Sequence, residues 1–273
     1  MSPCARAKAR TAWRADALEW FESAWPVLAW IVAVTMLAGY VQGVLGVGYP
    51  MLATPLLALV VDLRTAVIVT VPPVMALSAF LVFRGGNLRQ SIGRFWYMPL
   101  CMMAGALLGA RLFFVVDPAW LLLALGVALL LYVSLDWFGR TDFGRARRHP
   151  HLFAPVFGLL AGVSEAAINV GGPFLLIWCL AMGLVPMTMI QVLNFCFLSG
   201  KITQMAALTA GGVPPLAWLS ALPLTVVAAG PFWLGMRMRE GADVATYRRW
   251  LRGFLFLMAL LMFARFAQQA LTK

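Results

Sequence analysis

Ten apolar segments, separated by short connections, dominate this 273-residue sequence. Each runs for roughly 13–25 residues, a length typical of membrane helices and greater than that of the alternating strands of a membrane β-barrel. Hydrophobic residues make up 63% of the chain and charged residues 11%, whereas a soluble domain is close to half apolar and about a quarter charged. The sequence therefore predicts an all-α polytopic membrane protein. The predicted segments are 27–45, 49–61, 65–83, 95–116, 118–138, 152–164, 172–184, 188–209, 213–234 and 250–269.

The net charge of +11 arises from 21 Lys and Arg against 10 Asp and Glu. Clustered arginines in 84–94, 139–151 and 236–252 indicate cytoplasmic connections, because cytoplasmic loops of membrane proteins are enriched in Lys and Arg. Residues 115–120 and 209–215 contain no basic side chain and are predicted to face outward. No basic surface with interleaved aromatic residues stands outside the apolar segments, so the charge indicates topology and not nucleic-acid binding.

Parity predicts a broken hairpin in residues 152–184. The chain is inside near residue 149 and outside near residue 212, and segment 188–209 makes one crossing between them. Residues 152–184 must then begin and end on the same side. A straight helix of that length would extend about 50 Å, against a hydrocarbon core of about 30 Å. Two short helices that meet at "SEAAINVGGP" satisfy both constraints.

The first half of the chain repeats this order of segments. Two apolar runs flank a glycine- and proline-rich break, "GVLGVGYP", and "GALLGAR" at 105–111 matches "PFWLGMR" at 231–237. Because 84–94 is inside while its counterpart 209–215 is outside, the halves are predicted to be inverted repeats. We expect about eight transmembrane helices plus broken or re-entrant helical hairpins. Strict inversion places residue 27 outside, whereas the basic N-terminal tail favours the cytoplasm, so the side of the N-terminus stays open.

The domain organisation follows from these segments and the charge. We expect an N-terminal basic and amphipathic tail at 1–26, which would lie at the membrane surface. A first transmembrane repeat at 27–138, a cytoplasmic basic linker at 139–151 and a second transmembrane repeat at 152–273 follow.

The two breaks are candidate binding sites for an anion. Glycine and proline interrupt the helical hydrogen bonds, and the freed N–H groups are tolerated in a membrane only inside protein or beside a cavity. A half-helix N-terminus also carries partial positive charge, which suits an anion. The alternative is that the glycines serve close helix packing. The candidate substrate-binding residues are Gln42, Gly46, Gly48 and Thr54 at the first break, Glu165, Asn169, Gly171 and Gly172 at the second, and Asn194 and Lys201 in 188–209.

Lys201 lies well inside an apolar segment, where an ionisable side chain is costly and points to function. We expect it either to complement an anionic substrate or to pair with Glu165, and the two roles are compatible. Glu165 is alternatively a carrier for a coupling proton.

Little in the sequence favours an enzyme. His149 and His151 share one loop, and no paired cysteines, metal-ligand motif or nucleotide-binding loop is present. We expect no catalytic residue, no metal and no cofactor. A secondary transporter is the favoured function, an anion channel of similar broken-hairpin architecture is the alternative, and an intramembrane enzyme is less favoured.

The sequence resembles the sulfite exporter TauE/SafE family, also called the toluene sulfonate uptake permeases, from about residue 27 to 269. Members carry a glycine-rich pattern followed by proline near the start of each half. The first copy here has Gly39, Gly43, Gly46, Gly48, Pro50 and Pro55, and the second has Gly158, Gly162, Gly171, Gly172 and Pro173. "GALLGARL" is similar to the third-helix pattern of the family. Tyr49 stands where a further glycine is usual, and "SEAAINV" replaces a glycine-rich run, which puts the substrate in doubt.

The resemblance implies transport of a sulfur-containing anion such as sulfite or an organosulfonate. It also implies a multi-pass protein of the bacterial inner membrane. The expected partners are a small anionic substrate, the lipid bilayer and a coupling proton, with a homodimer as the expected assembly if the chain self-associates.

Overall fold

The computed structural model describes residues 25–84, 93, 95–134, 150–239 and 244–271. The amphipathic helix predicted in the N-terminal tail and most of the basic linker lie outside these residues. The described chain forms ten helices of at least 9 residues and no strand. The helices are α1 (Trp25–Leu45), α2 (Tyr49–Leu57), α3 (Leu63–Arg84), α4 (Tyr97–Val115), α5 (Pro118–Val133), α6 (Pro150–Ile168), α7 (Gly172–Ala181), α8 (Pro186–Ala210), α9 (Pro215–Met238) and α10 (Val244–Leu271).

Each predicted apolar segment corresponds to one helix, and proline defines where many of the helices begin. Pro118, Pro186 and Pro215 each occupy the first turn of their helix. Proline is favoured there because its fixed φ suits the helix and its missing N–H would have had no helical partner. At α5 the Asp117 carboxylate also accepts the Ala119 N–H at 2.9 Å. The helix starts are therefore encoded locally.

Five helices are long and apolar enough to cross a membrane by length and composition, namely α1, α3, α4, α9 and the Leu251–Gln269 part of α10. Large apolar side chains also face outward along α9, where Leu216 is 70% and Val226 is 77% exposed. Such surfaces are rare on soluble monomers. These findings confirm a polytopic membrane protein, while the expected number of eight transmembrane helices stays a prediction.

The helices share two ends. Arg84 at the end of α3, Met187 at the start of α8 and Arg239 after α9 line one recess, and we name this end of the molecule the arginine end. At the opposite end, Gly211 after α8 lies against the ring of Phe114 near the end of α4. The basic connections 84–94 and 236–252 therefore join helices at the same end, as a shared cytoplasmic side requires.

Two pairs of helices pack backbone to backbone through glycine. Gly39 and Gly43 of α1 face the carbonyl groups of Ala228 and Phe232 of α9, where any Cβ would overlap them. From the first contact to the second, the residue number rises on both helices, so α1 and α9 run parallel.

The equivalent contact in the other pair joins Gly162 of α6 to the carbonyl of Met102 of α4, and Gly109 of α4 to that of Val163. The alternative of close helix packing is thereby confirmed for these glycines.

Both breaks form hairpins. In the first, Trp30 Nε1 near the start of α1 donates to the Leu56 carbonyl near the end of α2 at 3.0 Å, so α2 returns along α1. In the second, the Trp178 ring of α7 packs edge-on against Phe95, just before α4, with centroids 5.1 Å apart. Because α6 runs parallel to α4, this contact brings α7 back to the end where α6 begins. The hairpin predicted in 152–184 is confirmed.

Candidate functional site

The second break is a short left-handed turn between α6 and α7. Asn169 has φ 59° and is the only described non-glycine residue with a positive φ. Asparagine tolerates this region better than most residues because its short polar side chain can hydrogen-bond locally. The Asn169 and Val170 N–H groups at the turn still donate to α6 carbonyls, at 3.0 and 3.3 Å, while the Asn169 side chain reaches α3 and α8.

A buried ion pair joins the break to α8. Lys201 Nζ lies 2.7 Å from Glu165 Oε1, and the two side chains are 0% and 1% exposed. The second carboxylate oxygen of Glu165 accepts the Gly171 N–H at 2.9 Å. The carboxylate therefore bridges a buried cation and a backbone donor of the break. Of the two roles expected for Lys201, the pairing with Glu165 is confirmed.

The Lys201 ammonium makes two hydrogen bonds besides its ion pair with Glu165. It donates to Asn169 Oδ1 and to Gln204 Oε1, the latter at 2.8 Å. Glu165 Oε1 lies close to the ammonium but accepts no hydrogen bond from the described residues, so this contact is one of charge. Gln204 in turn donates to the Ala166 carbonyl at 3.0 Å, which fixes its orientation. The cation is thus held by polar groups from both the break and its own helix.

The amide of Asn169 reaches across to the first half of the chain. Its Nδ2 donates to the Val67 carbonyl at 3.1 Å, to Thr54 Oγ1 at 3.3 Å and to Thr70 Oγ1. The second break therefore contacts α2 and α3 as well as α8. We name Thr54, Thr70, Glu165, Asn169, Lys201 and Gln204 the second-break cluster.

The first break has an uncharged cluster. Gln42 Oε1 accepts the Tyr49 N–H at 2.9 Å, and its Nε2 donates to Asn194 Oδ1 at 3.3 Å. Asn194 donates in turn to the carbonyls of Gly46 and Ile190, both at 2.8 Å. Gly46 and Gly48 have φ 78° and 120°, which only glycine adopts without strain. We name Gln42, Gly46, Tyr49 and Asn194 the first-break cluster.

The two clusters lie at different levels of the molecule. Asn194 and Lys201 are seven residues apart on α8, which places them on one face of the helix about 10 Å apart along its axis. Asn194 lies nearer the arginine end and Lys201 nearer the opposite end, since α8 begins beside Arg84 and Arg239. The predicted site residues are therefore brought into two groups and not one.

Two predicted glycines, Gly172 and Gly48, contribute packing and backbone geometry. Gly172 packs against the Met51 side chain, where a Cβ would overlap the methyl group, so it brings α7 against α2. Gly48 lies beside Val41 and contributes its backbone turn. Thr70 was missed because a threonine that also bonds to its own helix, here to the Val67 carbonyl at 2.8 Å, gives no signal in the sequence.

Two positively polarised groups of the second-break cluster meet at one carboxylate. Lys201 Nζ lies 2.7 Å from one oxygen of Glu165, and the Gly171 nitrogen lies 2.9 Å from the other. Within the described ranges, no group of three His, Cys, Asp or Glu side chains is close enough to hold a metal ion. The chemistry of the cluster is that of anion recognition by hydrogen bonds and charge.

The comparison with curated proteins and the comparison with solved structures gave no significant match. A family model described as sulfite exporter TauE/SafE matches residues 31–262, which is most of the chain and includes both breaks. The chain belongs to the sulfite exporter TauE/SafE family, a family of membrane transporters.

Proposed function

We propose that the protein is a secondary transporter of a small sulfur-containing anion, sulfite or an organosulfonate, in the bacterial inner membrane. The observation that carries the proposal is the fully buried Lys201 of α8, paired with Glu165 of the second broken hairpin in a transporter-family chain. A charged side chain in the middle of a membrane helix is costly and marks a substrate or ion pathway. The partners that the proposal requires are the anion, the lipid bilayer and a coupling proton, and it holds for a monomer or a homodimer.

In this proposal the substrate anion takes the place of the Glu165 carboxylate as the partner of Lys201. A proton on Glu165 removes the charge that holds Lys201, and the released ammonium and the Gly171 N–H then bind the substrate anion. Proton and anion enter together, so the buried net charge stays the same. This exchange supplies a reason for proton coupling, because an anion beside an ionised Glu165 would leave an unpaired negative charge.

We further propose that the two halves are inverted repeats, and residue correspondence supports this. Gln42 matches Glu165, Gly46 matches Asn169 and Gly48 matches Gly171, each pair separated by 123 positions (165 − 42, 169 − 46, 171 − 48). Gly46 and Asn169 both have positive φ. The side-chain oxygens of Gln42 and Glu165 both accept an N–H from their own break.

The packing supports the same correspondence. Gly39 faces Ala228, while its counterpart Gly162 faces Met102. Each half thus packs its broken hairpin against the fourth helix of the other. In the proposed arrangement six helices cross the membrane, fewer than the eight expected from the sequence, namely α3, α4, α5, α8, α9 and α10. The two hairpins are re-entrant, and α1, although long enough to cross, belongs to the first of them.

The proposal is tested by flux into liposomes that contain the purified protein. Sulfite uptake is measured against lactate and phosphate, with and without an imposed pH gradient, for the wild type, Lys201→Ala and Glu165→Gln. Arg111→Gln is the matched control, because it removes an exposed cation from α4. We expect saturable sulfite flux that Lys201→Ala abolishes and the control retains.

Two results would count against the proposal, and a third would narrow its substrate. Equal flux in wild type and Lys201→Ala would remove Lys201 from the site. Flux that rises linearly with sulfite concentration and ignores the pH gradient would favour the channel alternative. If no sulfite moves but an organosulfonate such as toluenesulfonate does, the sulfite branch falls and the organosulfonate branch stands.

A further inference from the structure

A recess of about 290 Å³ opens at the arginine end between α3, α8 and α9. It is far larger than the roughly 30 Å³ that one water occupies in the liquid. It belongs to neither break cluster, and none of its lining residues was predicted as a site. The lining consists of Leu81, Arg84, Met187, Ile190, Gln191, Met236 and Arg239.

The charge in the recess has one sign. Arg84 and Arg239 are its two charged residues, and no carboxylate is among the described residues that line it. Arg84 stacks on the Phe80 ring with its guanidinium carbon 5.9 Å from the centroid, so its stem is held while its donors stay free for other partners.

Arg239 is held in a half-buried position. Its guanidinium lies 4.0 Å from the Met187 sulfur, a weak acceptor that does not neutralise it. Partial burial lowers the pKa of Arg239, because the charged form loses water. Arginine nevertheless stays protonated at neutral pH. Its desolvated charge is therefore one that a bound anion would stabilise.

The floor of the recess adjoins the first break. Ile190 is 7% exposed, and its side chain packs on Gly46 so closely that a Cβ there would lie 2.9 Å from the Ile190 methyl group. Asn194, one turn further along α8, holds the carbonyls of both residues. A single apolar side chain thus separates the recess from the first-break cluster.

We propose that the recess is a binding site for a small oxyanion with a sulfite- or sulfonate-like head, held by Arg84 and Arg239 at the access to the first break. Ile190 is the barrier between this site and the break. The identity of the anion rests on the proposed function, whereas the site itself rests on the recess, its two cations and its position.

The test measures the recess directly and needs no transport. Met187 is 55% exposed and lines the recess, so Met187→Cys places a thiol there. In detergent at low salt, the thiol is labelled with a methanethiosulfonate that carries a sulfonate and, separately, with one that carries a trimethylammonium group. The chain that retains Met187 gives the background from native cysteines.

We expect the sulfonate reagent to label Met187→Cys faster than the ammonium reagent does. The ratio of the two labelling rates should fall at least threefold when Arg239→Gln is added, and likewise when Arg84→Gln is added. A unit charge roughly 7 Å away in water changes the local concentration of a monovalent ion about threefold. Arg111→Gln, which removes a cation far along α4, should leave the ratio unchanged. A ratio that is equal in the parent and in both recess variants would overturn the proposal.

Binding is separated from a general surface potential by protection. Labelling of Met187→Cys by the sulfonate reagent is measured in methanesulfonate and in gluconate at equal ionic strength. Methanesulfonate should slow this labelling in Met187→Cys, but not when Arg84→Gln and Arg239→Gln are added to it. Equal labelling in the two salts would overturn the binding site. Lys201→Ala should keep both effects, so a failure of Lys201 in the flux assay and a failure of the recess can be told apart.

Discussion

Glu165 holds Lys201 with one carboxylate oxygen and the Gly171 N–H with the other, so a single buried side chain closes both the ion pair and the turn. This double contact ties the stability of the second hairpin to the charge state of the cluster. It also means that a substitution at either partner has a structural effect and a functional effect, which must be measured separately.

The ion pair can be dissected with isosteric variants. Lys201→Met or Glu165→Gln leaves one buried charge without its partner, which costs about 3–5 kcal/mol. The double variant Lys201→Met/Glu165→Gln removes both charges and should recover most of that loss. The measurement is the thermal melting temperature in detergent, with flux recorded in parallel. Recovered stability with no recovered flux is expected, whereas recovered flux would place the anion elsewhere.

Proton coupling is expected to depend on Glu165. If the proton that accompanies the anion binds this carboxylate, Glu165→Gln should abolish the stimulation of sulfite flux by a pH gradient, since an amide cannot carry the proton. The amide has one acceptor oxygen in place of two, so it can accept from Lys201 or from Gly171 but not from each at its own oxygen, and binding should persist only in part. Flux is compared at equal internal and external pH and across a gradient. A variant that responds to the gradient as strongly as the wild type would assign the proton to another group.

The backbone of Asn169 and its side chain can be separated. Asn169→Gly keeps the left-handed turn at no steric cost, while Asn169→Ala adds a strain of roughly 1–2 kcal/mol. Both lose the contacts to Thr54, Thr70 and Lys201. We therefore expect the two variants to lose flux equally. The alanine variant should melt at a lower temperature than the glycine variant. Equal melting temperatures would show that the φ of 59° costs nothing.

The packing glycines should tolerate no methyl group. Gly162→Ala places a Cβ onto the Met102 carbonyl, so α4 and α6 must separate. Gly253→Ala is the matched control, because nothing lies within 4 Å of its added Cβ and alanine is favoured over glycine in a helix by about 1 kcal/mol. We expect a marked loss of folded protein in size-exclusion chromatography for the first and a neutral or raised melting temperature for the second. Equal behaviour of both would contradict the close approach of α4 and α6.

Both chain termini are expected on the non-cytoplasmic side. The parallel packing of α1 and α9 puts the start of α1 at the end opposite the arginines, and the Phe266 ring near the end of α10 lies 5.3 Å from Trp120 at the start of α5. Alkaline phosphatase fused to either terminus should therefore be active, and green fluorescent protein should be dark. A fluorescent fusion at either terminus would refute this topology.

Much of the architecture could be predicted from local signals. Apolar length located the ten segments, and the parity from which the second hairpin followed came from the arginine cluster at 139–151 and from the lack of basic side chains in 209–215. The pairing of α1 with α9 depends on contacts such as Gly39 with Ala228, nearly 190 residues away, and a glycine predicts that something approaches closely without indicating which helix it is.

The sequence allowed most residues of the candidate site to be predicted, but not their arrangement in two clusters. Lys201, Glu165 and Asn169 stand out because ionisable and amide side chains are rare in apolar segments. They are separated from Gln42 and Asn194 because the two breaks meet α8 at different levels, the first at Asn194 and the second at Lys201. No local sequence pattern encodes these levels. The arginine recess gave no signal, because arginines at helix ends are expected at a membrane interface on any topology.

The exchange of partners between the halves has a consequence for synthesis of the protein. The glycine face of α1 emerges from the ribosome when α9, the helix it packs on, is not yet made. The first hairpin must wait in the membrane without its partner while most of the chain is inserted, and its break has to be shielded meanwhile by other protein or by water. Assembly therefore ends with a long-range docking step, and a chain truncated before α9 is expected to be cleared by membrane proteases and not to persist as a half-transporter.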